Sequence, residues 1–137
     1  MRSVIVDNSV WQRVGHDPAI TATVQNLESR YLVVGCPPVA LEFCRSARDA
    51  AQYDKLAQLM SNLATPQREP TVAEVLHVQS AMRRAGIDIR QSSVADTLIA
   101  AYAWVNSLEI LAADHDFEHI AAALDDQLHV TYVAPSS

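Results

Sequence analysis

Five acidic side chains stand where chemistry could use them: Asp7, Glu42, Asp96, Asp114 and Asp116. Asp7 ends the apolar run Val4-Ile5-Val6, Asp114 and Asp116 follow the run Leu108 to Ala113, and Glu42 and Asp96 fall in the first turns of expected helices. Carboxylates gathered from such positions, about 5 Å apart, repel by roughly 3 kcal/mol per pair at an effective dielectric of about 20. Left uncompensated, they shift their pKa values or splay apart. The chain's only lysine is Lys55, and none of these acids has an arginine beside it in sequence. A hard divalent cation that prefers oxygen ligands, such as Mg²⁺ or Mn²⁺, is the economical answer to that charge.

The elements that must bring these acids together follow from apolar patterning. Val4-Ile5-Val6 is a short continuous apolar run, which suits a strand covered on both faces, as parallel strands under helices are. Asp17-Pro18 reads as an N-cap and a first-turn proline opening a helix to about Arg30. Tyr31 to Val34 reads as a second buried strand, stopped by Gly35 and Pro37-Pro38. A helix then starts near Pro38, with Leu41 and Cys44 facing the core and Glu42, Arg45 and Asp49 sharing another face. Tyr53 to Leu63 is amphipathic through Leu56, Leu59, Met60 and Leu63. Thr71 to Glu74 has the form of a capping box, followed by Val75, Leu76, Gln79 and Met82 as far as a C-terminal cap at Gly86. Ser92 and Ser93 cap a helix whose apolar side is Val94, Leu98, Ala101, Tyr102 and Val105. Leu108 to Ala113 is a third strand, Phe117 to Leu124 a short helix, and His129 to Val133 the last strand. Strands alternating with helices predict an α/β fold with a parallel sheet, whose ligands bind beyond the carboxyl ends of the strands.

The totals agree with one folded unit. At 137 residues, half of them apolar and 19% charged, the chain can bury a core. Its longest central apolar run, Leu98 to Val105, spans eight residues, well short of the ~20 a membrane helix needs. Asp7 and Asn8 interrupt the N-terminal apolar run too soon for a secretory signal, so a cytoplasmic location is expected. Cys36 and Cys44 are expected as reduced thiols. A net charge of -6 excludes nucleic-acid binding through a broad basic face, so any dealing with phosphate needs positive charge from elsewhere.

Four stretches together carry a resemblance: Val4-Ile5-Val6-Asp7-Asn8-Ser9, Pro37-Pro38-Val39-Ala40-Leu41-Glu42-Phe43, Ser93-Val94-Ala95-Asp96-Thr97-Leu98, and Ala113-Asp114-His115-Asp116-Phe117. In order and spacing they resemble the PIN-domain ribonucleases, and among these the VapC-type toxins of bacterial toxin–antitoxin pairs, over about Ser3 to Val133. The resemblance implies a PIN-like domain over 1–133 with a short tail at 134–137, and a four- to five-stranded, mainly parallel sheet between helices. It implies that Asp7, Glu42, Asp96 and Asp114 are the catalytic quartet holding one or two Mg²⁺ or Mn²⁺ ions, with Asp116 supporting the metal shell or capping the following helix. A cation held so can acidify water and polarise a phosphodiester. RNA is then the substrate, cut to leave a 5′-phosphate; a VapB-type antitoxin is the inhibitory partner, and the chain is a homodimer. Ser9 is expected to bond a carboxylate, a metal's water ligand or a phosphate, and Arg45 and Arg48 to reach RNA phosphates. The chain departs from the family's habit at Asn8, where threonine or serine is usual, and at Ala112, where a polar residue is usual.

Each acid also has an ordinary explanation as a turn, cap or surface charge, and only their joint occurrence favours a site. His115 and His119, four apart, are read as solvent-facing rather than as zinc ligands. Trp11 and Trp104 are read as core or dimer contacts. Two other classes compete: a non-catalytic PIN scaffold, and a receiver-like acidic signalling module, which would need a lysine at a late strand end. Gly15, Gly35 and Gly86 are too few and scattered for a phosphate-cradling loop.

Overall fold

A computed structural model describes residues 2–136. Its centre is β1 (Arg2–Val6), whose Val4, Ile5 and Val6 are almost wholly buried. β1 can be apolar on both faces because it pairs in parallel with β2 (Tyr31–Val33) on one side and β3 (Glu109–Ala112) on the other, and helices cover the sheet. β4 (His129–Tyr132) joins β3, giving a parallel sheet ordered β2-β1-β3-β4. The expected α/β class and parallel sheet are therefore present, with four strands.

The helices are α1 (Asn8–Trp11), α2 (Pro18–Glu28), α3 (Pro37–Cys44), α4 (Ala50–Ser61), α5 (Val72–Arg84), α6 (Val94–Asn106) and α7 (Asp116–Ala123). Local chemistry explains most of their starts. Asp17 accepts from the backbone N–H groups of Ala19 and Ile20, opening α2. Thr71 and Glu74 form the expected reciprocal capping box at α5, and Gly86 closes that helix at φ +88°, with Ile87 N–H donating to the Met82 carbonyl. Ser93 caps α6 by accepting from Asp96 N–H at 3.2 Å. The loop before α5 is stitched down by Asn106, which donates to the Arg68 carbonyl and accepts from its N–H. At Gly35 the α4 end comes so close that a Cβ would meet Leu63 Cβ at 3.2 Å. No helix among the described residues is long and apolar enough to cross a membrane.

Several expectations are corrected. Tyr31 to Val34 is not a buried strand: β2 is a sheet edge, and Leu32 is 46% exposed. Leu41 is 71% exposed, because α3 turns Val39 and Cys44 inward and leaves Leu41 on the rim of a groove against α4. α3 also stops at Cys44, so Arg45 and Asp49 do not continue its face; Asp49 caps α4, which begins three residues before Tyr53. Val94 is 78% exposed, since α6 packs only from Thr97 onward, through Ile99, Ala100, Ala101, Tyr102 and Ala103. Leu59 and Leu76 likewise lie outward, while Met60, Val78 and Met82 supply the buried stripes of α4 and α5. α1 escaped the patterning because it is a single turn, too short to show a helical period.

Candidate metal centre

The carboxyl ends of β1 and β3 carry the acids, as the fold requires. Asp7 follows β1 directly and is 5% exposed, and its N–H donates to the Leu111 carbonyl at 2.8 Å, tying the two strands at the site. Its Oδ2 accepts from Ser9 N–H at 3.1 Å and from Ser9 Oγ at 2.6 Å, so the carboxylate is both a ligand candidate and the cap of α1. Ser9 Oγ in turn accepts from Ala113 N–H at 2.9 Å. Of its expected partners, the Ser9 hydroxyl thus meets the carboxylate, and it pins that carboxylate to the strand that delivers Asp114.

Glu42 enters from α3 and Asp96 from the first turn of α6, both half-buried. One oxygen from each of Asp7, Glu42 and Asp96 lies within 4.8 Å of the others. Glu42 Oε1 is buried and has no hydrogen-bond partner. A buried acceptor without a donor is costly, so this atom faces something the chain itself does not supply. Asp114 stands at the rim outside this trio, where its Oδ1 accepts from Asp116 N–H at 3.2 Å.

The electrostatics match this crowding. Burial pushes the Asp96 carboxyl up to about 7, helped by the charges of Asp7, Asp116, Glu42 and Asp114. Burial raises Asp7 too, against the lowering by its Ser9 bonds, and Asp114 adds to the rise. Glu42 is raised by burial and by Asp7, and only the nearby Arg45 guanidinium opposes this. Three desolvated, mutually repelling carboxylates with an orphaned oxygen among them fit a hard divalent cation, which takes oxygen ligands and supplies the missing charge.

The other candidates fall into distinct places. Asp116 does not cap α7: it is the first helical residue, behind an N-cap at His115 that makes no side-chain bond. Its charge still reaches Asp96. Arg45 is exposed and close enough to act on Glu42. Arg48 sits in the turn before α4, where its N–H and Nε both donate to Gln52 Oε1, so it does not extend α3 toward the acids. His115 stacks on Tyr132 with ring centroids 4.0 Å apart and bonds Glu118, and His119 is exposed. Trp11 is buried against Phe43, and Trp104 stacks on His77. Asn8 begins α1 with a buried, unpartnered Oδ1, and Ala112 is fully buried at the end of β3. Pattern reading missed Arg13, whose guanidinium donates to the Ser9 carbonyl and braces the α1 turn from behind; its only signal was helical spacing within a turn too short to recognise.

A parallel sheet with acids converging at its carboxyl edge defines an α/β protein with an acidic, cation-suited centre, and comparison with known proteins makes the assignment specific. The PIN domain family model matches residues 4–123. The chain belongs to the PIN-domain family. It is 32% identical over 111 residues to Ribonuclease VapC6 of Mycobacterium tuberculosis, covering 77% of this chain and 87% of that protein. To Ribonuclease VapC18 of the same organism it is 29% identical over 119 residues, covering 85% and 86%. Within the family it is therefore of the VapC type. Among solved structures, VapBC2 from Rickettsia felis bound to a DNA fragment matches with a TM-score of 0.73 at 12% identity, covering 96% of this chain and 98% of that one. DNA-bound VapBC from Salmonella typhimurium matches with a TM-score of 0.66, also at 12% identity, covering 96% and 98%. These two support the fold. The receiver-like reading falls with the family assignment, and Lys55 lies exposed on α4 rather than at a strand end.

Proposed function

We propose that the chain is a metal-dependent endoribonuclease, the toxin of a type II toxin–antitoxin pair, held in check by a VapB-type antitoxin. The observation that carries this reading is the meeting of Asp7, Glu42 and Asp96, far apart in sequence, with oxygens within 4.8 Å. These three would hold Mg²⁺ or Mn²⁺, Asp114 would complete the set from the rim, and Asp116 would support it from outside. When bound there, the ion supplies a Lewis acid for the phosphodiester and lowers the pKa of water. Ser9 holds Asp7 in one rotamer, so the ligand does not have to be ordered when the cation arrives. Arg45, exposed and near enough for its charge to act on Glu42, would meet an RNA phosphate.

The VapC ribonucleases among its relatives support the RNA substrate, and the VapBC assemblies among its structural neighbours support the antitoxin. By the same analogy the chain works as a homodimer, in the cytoplasm where its RNA lies. The test is to map new 5′ ends in total RNA after expressing the chain without a partner, beside an Asp7→Asn variant shown to be folded. The reading predicts new 5′-phosphate ends with the native chain and none with the variant. A native chain that generates no new ends would leave the non-catalytic scaffold as the better account.

A further inference from the structure

Beside the acids, on the α6–α7 side, lies a cavity of about 410 Å³, within the size range of small-ligand sites. Asp96 belongs to both the acidic trio and this cavity, so whatever fills it would lie beside a group held at the trio. Its floor is apolar: Met82 and Ile120 are buried and Ile87 is half-buried. Its rim is polar. Two of the rim groups are already spent, since Ser93 Oγ takes Asp96 N–H and Ser92 Oγ donates to the Ile89 carbonyl. Gln91 and His119, both exposed, line the same rim, as does Asp116.

The charge here is wrong for a phosphate. Asp96 and Asp116 line the cavity and no lysine or arginine does, so an anion would be repelled. A flat, neutral group with an apolar face and hydrogen-bonding edges fits instead. Proteins read unpaired RNA in that way, laying a splayed-out base against apolar side chains and bonding its edges.

We propose that this cavity is a subsite for one unpaired nucleobase next to the cut, read by Gln91, His119 and Asp116, and that it prefers bases with an exocyclic amine to uracil. The Asp116 carboxylate can only accept, and the Gln91 carbonyl adds another acceptor. Adenine, cytosine and guanine each present an amine to such acceptors; uracil presents a carbonyl oxygen in its place and keeps only its ring N3–H to donate, so the two carboxylates that line the cavity, Asp96 and Asp116, are less fully met. A site built around a hydrogen bond rejects the analogue that lacks it more strongly than an apolar pocket rejects a missing methyl.

This inference deepens the ribonuclease reading and rests on it, so two measurements separate their failures. In the first, the native chain with Mn²⁺ cuts an RNA pool randomised around the cleavage position. One position beside the cut should disfavour uridine by about tenfold, and Gln91→Ala or His119→Ala should reduce that bias to about twofold. The second needs neither metal nor cleavage: methyl NMR of the native chain in EDTA, titrated with uncharged nucleosides. Adenosine and cytidine should shift the Ile120 and Met82 methyl signals and uridine should do so far less, with the difference lost in Gln91→Ala and Asp116→Asn. Cleavage without base preference, or methyl signals that no nucleoside moves, overturns the subsite. Methyl shifts with the expected preference but no cleavage would keep the subsite and sink the nuclease.

Discussion

Asp96→Asn should make the metal-free protein more stable at pH 8, although it removes a residue at the heart of the site. Burial and four neighbouring acids raise this carboxyl from the ordinary 3.8 to about 7. A rise of about three pH units corresponds to ~4 kcal/mol, at about 1.4 kcal/mol each. Solvent screening of a half-buried group cuts this to ~2 kcal/mol. Asparagine keeps the size and the cap contact from its backbone N–H but loses the favourable charge in the first turn of α6, worth ~0.5 kcal/mol. The net gain of ~1.5 kcal/mol corresponds to roughly 6 °C in melting temperature for a domain of this size. The sign against pH follows. Because the folded pKa lies above the unfolded one, the native state binds the proton more tightly, and wild-type stability from this group falls as pH rises from about 4 to about 7. Thermal unfolding in EDTA should therefore show the variant above the wild type at pH 8 and level with it, or slightly below, at pH 4. Saturating Mn²⁺ should reverse the order at pH 8, since a ligand at 100 times its Kd adds ~2.7 kcal/mol to the protein that binds it. A variant that melts no higher than wild type at pH 8 in EDTA, or keeps its advantage at pH 4, would refute the reasoning.

Ser9→Ala leaves Ala113 N–H without its partner and removes the hydroxyl bond to the Asp7 carboxylate while the backbone N–H bond remains, so a loss of ~1–2 kcal/mol in unfolding free energy is expected. Calorimetry of Mn²⁺ binding should show weakened affinity alongside it; unchanged affinity would mean that Ser9 does not position Asp7. Glu74, forked by Arg68 and bonded by Thr71, is held down at about 2. Its contribution is present above the unfolded value of 4.5 and is lost as pH falls toward 2, so Glu74→Gln should flatten the acid limb of the stability curve, with equal limbs as the contrary result. Gly35→Ala would set a Cβ 3.2 Å from Leu63 Cβ and 3.4 Å from the Met60 carbonyl, costing ~1 kcal/mol in denaturant unfolding if the α4 end yields a few tenths of an ångström. A neutral or stabilising substitution would show that the approach there is looser than the backbone suggests.

What the sequence made legible was set by period and by caps. β1, β3 and the caps at Asp17, Thr71 and Ser93 were readable because each leaves a local signature. The outward turn of Leu41 and Val94 was not, because helix phase is set by distant partners: Glu42 and Asp96 share those helices and face the ends of the sheet. β2 read as buried for a similar reason. Apolar composition does not say which strand lies at an edge; the order of strands in the sheet does, and that is a tertiary fact. The acids were found one by one, yet the separation of a close trio from the rim residues Asp114 and Asp116 depends on side-chain geometry that spacing cannot express.

The placement of the trio also explains why the fold tolerates it. Desolvated, repelling carboxylates subtract stability, and a small domain has only ~5–15 kcal/mol to lose. Here the cost falls at the end of a deeply buried strand, where Val4, Ile5 and Val6 sit between two parallel neighbours and Asp7 is tied by its own N–H to β3. Asp7 cannot swing away without breaking the Ser9 clamp, and Glu42 and Asp96 are half-buried on α3 and α6, which pack against each other and keep their backbones beside it. On the proposed reading, that stored repulsion would be released on binding a cation. Affinity for the ion should then depend on the rigidity of the core, and loosening β1 by Ile5→Ala should weaken Mn²⁺ binding although Ile5 is not one of the acids. Calorimetry at a temperature where the variant is still fully folded tests this. Native affinity in a destabilised Ile5→Ala protein would show that the acids hold their places without the strand beneath them.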